Sequence, residues 1–320
     1  MKLRKKRSVH LLIATIMLAL PASAVALTSA TAGPGSAART QSTTHLRVTP
    51  RRMSYEHRVT VSGRAPRSAA GRTVVLQTAG RRLAGWRPLA ATRIGPEGGF
   101  VLHAALHRSG FVRVVDAALT SGAPGAPGAS PALAATRPQP VTVAARLNVA
   151  SRSRDLLAGG TVAVSGKLLP AVAQRIVRLE GHFANGWRTV ARARTARKGG
   201  FELHGRVASG LQRRLRVLFA GDRDNARAAR SAGRVTVFGQ GVASWYDDSG
   251  STACGFHAGL GVANLSLPCG TRVRFRYGSS SVTAVVDDRG PYVGGRQWDL
   301  NQNTAAALGF SGVGTVWSTQ

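Results

Sequence analysis

Cysteine is almost missing from this chain, aromatic rings are scarce, acidic residues are few, and long apolar runs are confined to one end. The two cysteines, Cys254 and Cys269, lie 15 residues apart with only His257 nearby. A zinc ion there would lack a fourth protein ligand, so no metal site is expected. In an oxidising compartment the same pair reads as one disulfide closing a short loop. No Cys follows the N-terminal apolar run, which excludes a lipid attached to a mature N-terminus. Aromatics make up 6% of the residues, against heavy use of Gly, Ala and Arg, so the cores must be small. The one long apolar run, Leu11 to Leu20, is shorter than the roughly 20 residues of a membrane span, and no other stretch could cross a bilayer.

That run follows a basic stretch, Lys2, Arg4, Lys5, Lys6 and Arg7, and precedes small residues at Ala22-Ser23-Ala24 and again at Ala30-Thr31-Ala32. The pattern is that of an export signal over residues 1–32, cut after Ala24 or Ala32, rather than a retained anchor. Gly33 to Thr44 reads as a flexible lead-in. The expected product is secreted and associated with the cell wall, with no stable membrane anchor.

Against 44 Lys and Arg stand 13 Asp and Glu, a formal net charge of +31. The imbalance lies upstream, because residues 239–320 contain five Arg and five Asp. A domain acting on nucleic acid would carry the cationic footprint itself, and the upstream Arg residues lack a clustered aromatic platform, so no nucleic-acid partner is expected. Anionic wall polymers are the natural polyanions for an exported basic chain, the plainer alternative being a solvated Arg-rich surface.

Two copies of one unit fill the middle. Val59-Thr60-Val61-Ser62-Gly63-Arg64 returns as Val162-Ala163-Val164-Ser165-Gly166-Lys167, and Arg72-Thr73-Val74-Val75-Leu76 as Arg175-Ile176-Val177-Arg178-Leu179. Gly85-Trp86-Arg87 matches Gly186-Trp187-Arg188, and the Gly-Gly-Phe at 98–100 matches that at 199–201. Such ordered matches mark a duplication. Short Val- and Leu-rich runs broken by Gly, Pro, Asn and Asp predict a β-sandwich of about seven strands per copy, similar to bacterial immunoglobulin-like modules. Trp86 and Trp187 are expected to pack into the sandwich cores. Ser121 to Pro140 reads as a disordered insert, because Val141-Thr142-Val143 matches Val235-Thr236-Val237, the closing strand of the second copy. The expected domains are 45–146, 147–238 and 239–320.

In the last of these, Val242 to Tyr246 opens as a strand, Gly270 to Val286 reads as a β-hairpin, and Thr315 to Trp317 closes the sheet. Asn301 to Leu308 is the one credible helix, with Asp299 or Asn301 as N-cap and Gly309 ending it.

Ala-Ser-Trp-Tyr at 243–246, Thr-Ala-Cys-Gly at 252–255, Gly-Val-Ala-Asn-Leu-Ser-Leu-Pro-Cys-Gly at 261–270, Asp-Asp-Arg-Gly-Pro-Tyr at 287–292 and Gly-Gly-Arg-Gln-Trp-Asp-Leu at 294–300 follow one another in a fixed order. The series resembles the rare lipoprotein A family of double-psi β-barrels, relatives of expansins and family-45 endoglucanases. The expected chain is all-β: two tandem sandwiches, from the repeat pattern, then, as the resemblance implies, a six-stranded double-psi β-barrel with one short helix. It also implies a lytic transglycosylase that cuts peptidoglycan between N-acetylmuramic acid and N-acetylglucosamine without water or cofactor. Such chemistry needs a carboxyl group that can hold a proton. Asp288 matches the acid of the family's Asp-Arg-Gly-Pro motif, and its neighbour Asp287 is expected to raise one of the two pKa values. Asp299 matches a groove-lining Asp of expansins.

Trp245, Tyr246, Tyr292 and Trp298 are candidate sugar platforms, with core packing as the alternative. Asn264, Arg289 and Arg296 are candidate contacts to sugar or peptide groups; the two arginines could instead pair with neighbouring Asp residues. Asp247 and Asp248 fall where family-45 endoglucanases place a base. The characterised transglycosylases have His at the position of Asn264, and Glu in the stretch that here reads Ala253-Cys254-Gly255. A barrel that grips glycan without cleaving it, as in expansins, is therefore the alternative.

Overall fold

The computed structural model describes residues 45–119, 133–150, 152, 154–206 and 213–320. The expected signal and lead-in, and the first part of the expected insert, lie outside the described residues. Strands dominate the rest, with one α-helix.

In the first copy the strands are β1 (His45–Thr49), β2 (Arg52–Ser54), β3 (Arg58–Arg64), β4 (Thr73–Ala79), β5 (Arg87–Arg93), β6 (Gly99–Ala105), β7 (Gly110–Asp116) and β8 (Gln139–Ala144). They form two sheets, β1-β3-β6 and β2-β8-β7-β4-β5. The inward halves of the alternating patterns, Val59, Val61, Leu76, Leu102, Val112 and Val143 among them, share one buried core.

The second copy repeats this plan. It comprises β9 (Arg146–Val149), β10 (Arg154–Leu157), β11 (Thr161–Leu169), β12 (Ile176–Phe183), β13 (Gly186–Arg194), β14 (Gly200–Arg206), β15 (Arg213–Phe219) and the first half of β16 (Ala228–Tyr246), in sheets β14-β11-β9 and β10-β16-β15-β12-β13. Even the bulge recurs, between Leu76 and Gln77 in β4 and between Leu179 and Glu180 in β12. Among the described residues each copy thus has eight strands where about seven were expected, the extra one being a short strand paired parallel to the closing strand.

Two expectations are corrected. Trp86 and Trp187 are only partly buried and lie outside the cores; Arg113 stacks 4.1 Å from the first ring centroid and Arg216 4.0 Å from the second. The intervening Arg guanidinium is fixed in turn, by Gln77 Oε1 in one copy and Glu180 Oε2 in the other. The insert is also shorter than expected at its C-terminal end. The Leu133 N–H donates to Asp116 Oδ2, Leu133 packs on the core, Thr136 bonds Val114 in both directions, and β8 begins at Gln139.

β16 is 19 residues long and crosses into the C-terminal unit without interruption. Its second half joins β17 (Gly261–Ala263), β18 (Arg272–Tyr277), β19 (Ser280–Asp288), β20 (Trp298–Asn301) and β21 (Gly314–Ser318) in a closed ring, β16-β20-β17-β19-β18-β21 and back to β16. Closure leaves no sheet edge unpaired. The barrel is filled by Val262, Val273, Phe275, Val286, Trp298, Leu300 and Val316, and plugged by Leu308 from the helix α1 (Gln302–Leu308). Asn301 caps that helix by accepting from the Thr304 N–H, and Gly309 ends it at φ 66°, as the sequence predicts for the second of the two possible caps. At the junction, Asp155 of β10 receives Arg274 at 3.4 Å and Arg276 at 3.2 Å from β18, while buried Phe238 meets Trp317.

Candidate active site

Three strands and one bulge build the site. Ala263 on β17 is paired with Asp299 on β20 to one side and with Asp288 on β19 to the other. Residues opposite one another across strands project to the same face, so both carboxylates flank the small Ala263 side chain. The register slips between Val262 and Ala263: Val262 pairs with Val286, but Ala263 pairs with Asp288. Asp287 is the extra residue, and a bulge of this kind re-aims its side chain.

Asp287 consequently points inward and is fully buried, accepting from the Ala258 N–H at 2.8 Å and the Val262 N–H at 3.1 Å. Its carboxylate occupies the place a Cβ at Gly261 would need. Burial pushes its pKa above the usual carboxylate range; the charge of Asp248 adds to this, while the N–H donors oppose it. Of the Asp287-Asp288 pair it is thus Asp287 whose pKa is raised, by burial first, with Asp248 as the like charge that adds to it.

Asp288 stays partly exposed. Its Oδ1 accepts from the N–H groups of Ala253 at 2.7 Å and Arg289 at 2.8 Å, and no described residue bonds Oδ2. The Ala253 contact belongs to the loop held by the Cys254–Cys269 disulfide, whose Cα atoms are 5.7 Å apart. Asp299 is partly buried and accepts from Ser244 Oγ at 2.7 Å, since Ser244 is its register partner on β16. Burial raises the Asp299 pKa, the Ser244 hydrogen bond and the Arg296 charge oppose the rise, and the Asp288 charge adds to it.

Tyr246 lies among these carboxylates. Its hydroxyl is buried without a hydrogen-bond partner, and its pKa is driven above the ordinary phenol value by burial and by Asp287, Asp248, Asp288 and Asp299. Asp248 is held by His257 Nδ1 at 3.0 Å and by Asn301 Nδ2 at 3.2 Å. Trp245 is 46% exposed and Tyr292 81%, so both rings are open to a ligand. Arg296 is partly exposed beside Asp299. Among the described residues no group of three or more His, Cys, Asp or Glu is placed to hold a metal ion.

Three sequence-predicted contacts are corrected. Trp298 is fully buried in the barrel, edge-on to Phe275 at 4.9 Å, and presents no face to a sugar. Asn264 is buried and spent on its own loop: Oδ1 accepts from Ser266 N, Ser266 Oγ and Leu267 N, and Nδ2 donates to the Gln297 carbonyl. Arg289 donates to the Asn264 and Asp288 carbonyls and to Cys269 Sγ, so it braces the loop and pairs with neither Asp carboxylate. Sequence reasoning missed Ser244; its only signal is its place in β16, one residue before Trp245, where the parallel register with β20 sets it against Asp299.

Residues 239–317 match the family model described as lytic transglycolase. A stretch of 93 residues is 40% identical to the probable endolytic peptidoglycan transglycosylase RlpA of Synechocystis sp., over 24% of this chain and 27% of the relative. The chain thus spans about a quarter of the length of that relative. With the closed six-stranded ring, these matches identify residues 239–317 as a double-psi β-barrel domain of the rare lipoprotein A type.

Proposed function

We propose that the barrel cleaves peptidoglycan glycan strands as a lytic transglycosylase, in an exported protein that works at the cell wall. The observation that carries this reading is the pair Asp288 and Asp299 on one face, flanking Ala263, with Asp299 biased by burial toward its protonated form. In the proposed reaction Asp299, in place of the Asp288 that the family resemblance suggests, is the acid, because burial raises its pKa; it donates its proton to the glycosidic oxygen as the bond to the anomeric carbon breaks. The 6-hydroxyl of the same muramoyl residue attacks that carbon and gives its proton to the Asp299 carboxylate, which leaves a 1,6-anhydro end and restores the acid. The Asp288 carboxyl group, on the other side of Ala263, faces the positive charge that develops on the ring. Trp245 and Tyr292 supply faces for sugars, and the unpaired Tyr246 hydroxyl a donor to a substrate oxygen. The matches to the lytic transglycolase model and to the probable peptidoglycan transglycosylase support the same substrate class.

The upstream domains at 45–146 and 147–238 are proposed as immunoglobulin-like carriers that hold the barrel against its polymer. A second reading, glycan binding without turnover, is favoured by Asn264, whose locked amide cannot exchange a proton. Mass spectrometry of the fragments released from purified peptidoglycan separates the two. Anhydro-ended fragments from the protein, absent with Asp299→Asn, support cleavage; no release despite co-sedimentation with the wall supports binding alone.

A further inference from the structure

The outer face of the second sandwich carries a depression of about 600 Å³ to which the barrel chemistry assigns no task. It is lined by Trp187, Arg214, Arg216, Arg230, Ser231 and Arg234. Arg216 is neutralised by Glu180 at 2.7 Å. Arg214, Arg230 and Arg234 are exposed and have no carboxylate within ion-pair distance among the described residues. A bulge builds the site: the register of β15 with β16 slips between Leu215 and Arg216, and Gly233 at φ 94° lets Ala232 turn into the core while its neighbours stay outside.

The first copy is an internal control, because its strands pair in the same register. Arg214 opposite Arg234 in the second copy corresponds to Phe111 opposite Pro140 in the first. Both copies keep the stacked Trp and Arg, so that feature belongs to the scaffold. The additional arginines belong to the second copy alone.

We infer that this depression is a binding site for a polymer with closely spaced phosphodiester groups, of the polyol-phosphate kind. One face of the Trp187 ring is taken by Arg216, and His182 meets the ring edge-on at 5.0 Å, so the site offers charge rather than a platform for sugar stacking. Three guanidiniums around one depression, without a carboxylate partner among the described residues, favour a ligand that carries more than one anionic charge. A chain with a phosphate at every repeat supplies these, and guanidinium forks match phosphate oxygens.

The test measures binding of synthetic poly(glycerol phosphate) to the full mature chain at near-physiological salt. The variant Arg214→Gln/Arg230→Gln/Arg234→Gln is compared with Arg81→Gln/Arg82→Gln/Arg87→Gln, which removes the same charge from exposed positions of the first copy. The site predicts a loss of roughly tenfold or more for the first variant, with a flatter salt dependence, and about threefold or less for the second. Ala229→Glu, which adds a carboxylate at the rim and leaves every arginine in place, is expected to weaken binding as well. Equal losses from the two triple variants would overturn the site in favour of diffuse charge. Equally tight binding of a glucuronate-bearing polymer would overturn the assignment to phosphate.

Discussion

Asp288 and Asp299 never pair with each other, yet both are register partners of the same residue, Ala263, one on each side. Two inter-strand spacings place their Cα atoms about 10 Å apart. The bulge that spares Asp288 for this face is also what buries Asp287, so one irregularity separates a partly exposed carboxyl from a fully buried one.

The Ser244 hydroxyl favours the ionised form of Asp299, so its removal must raise the Asp299 pKa further. In Ser244→Ala the protonated acid persists to higher pH, and the alkaline limb of kcat/KM moves upward. A limb that stays in place or moves down would show that another group donates the proton.

Asp287 is predicted to matter for stability. In Asp287→Asn an amide group must face one of two N–H donors, Ala258 or Val262, at a cost of about 1–3 kcal/mol, read by denaturant unfolding. Because its folded pKa is raised above the unfolded value, the Asp287 contribution favours folding at low pH and is lost as pH rises through the folded value. The variant should lack that pH-dependent component; an unchanged profile would contradict the assignment.

The two tryptophans should behave oppositely. Trp298→Ala opens a cavity beside Phe275 and is expected to cost about 3–5 kcal/mol. Trp245→Ala and Tyr292→Ala should leave the melting temperature nearly unchanged, because both rings are exposed, while weakening co-sedimentation with purified wall. Strong destabilisation by Trp245→Ala would place that ring in packing instead.

Replacing Cys254 and Cys269 together by Ser opens the loop that carries Ala253 onto Asp288. The chain-entropy relation gives about 3 kcal/mol for a loop of this length, seen as a lowered unfolding midpoint of the barrel, with activity falling as the Ala253–Asp288 contact loosens. Unchanged stability would mean that the unfolded chain is not relieved by the missing bond.

What the sequence reveals is what is local or repeated. Asn301 and Gly309 bound the helix by their own backbone chemistry, and the matched runs from Val59 and Val162 fall on strands with the same partners in each copy. What stays hidden is register. β17 and β20 are three and four residues long, too short for alternation to mark them, and the slip at Asp287 depends on pairing across the barrel. Nothing local distinguishes buried Trp298 from exposed Trp245, since both precede polar or aromatic neighbours in motif-rich segments. Asn264 looks like a ligand for the same reason; its loop, three residues on, consumes its amide.

The most direct test of the account is digestion of purified peptidoglycan in heavy-oxygen water, with products analysed by mass spectrometry. Fragments ending in 1,6-anhydro sugars that carry no solvent oxygen are expected from the mature protein and are lost in Asp299→Asn. Reducing ends labelled from the water would show hydrolysis, and anhydro products undiminished in Asp299→Asn would remove Asp299 from the chemistry; either result would contradict it.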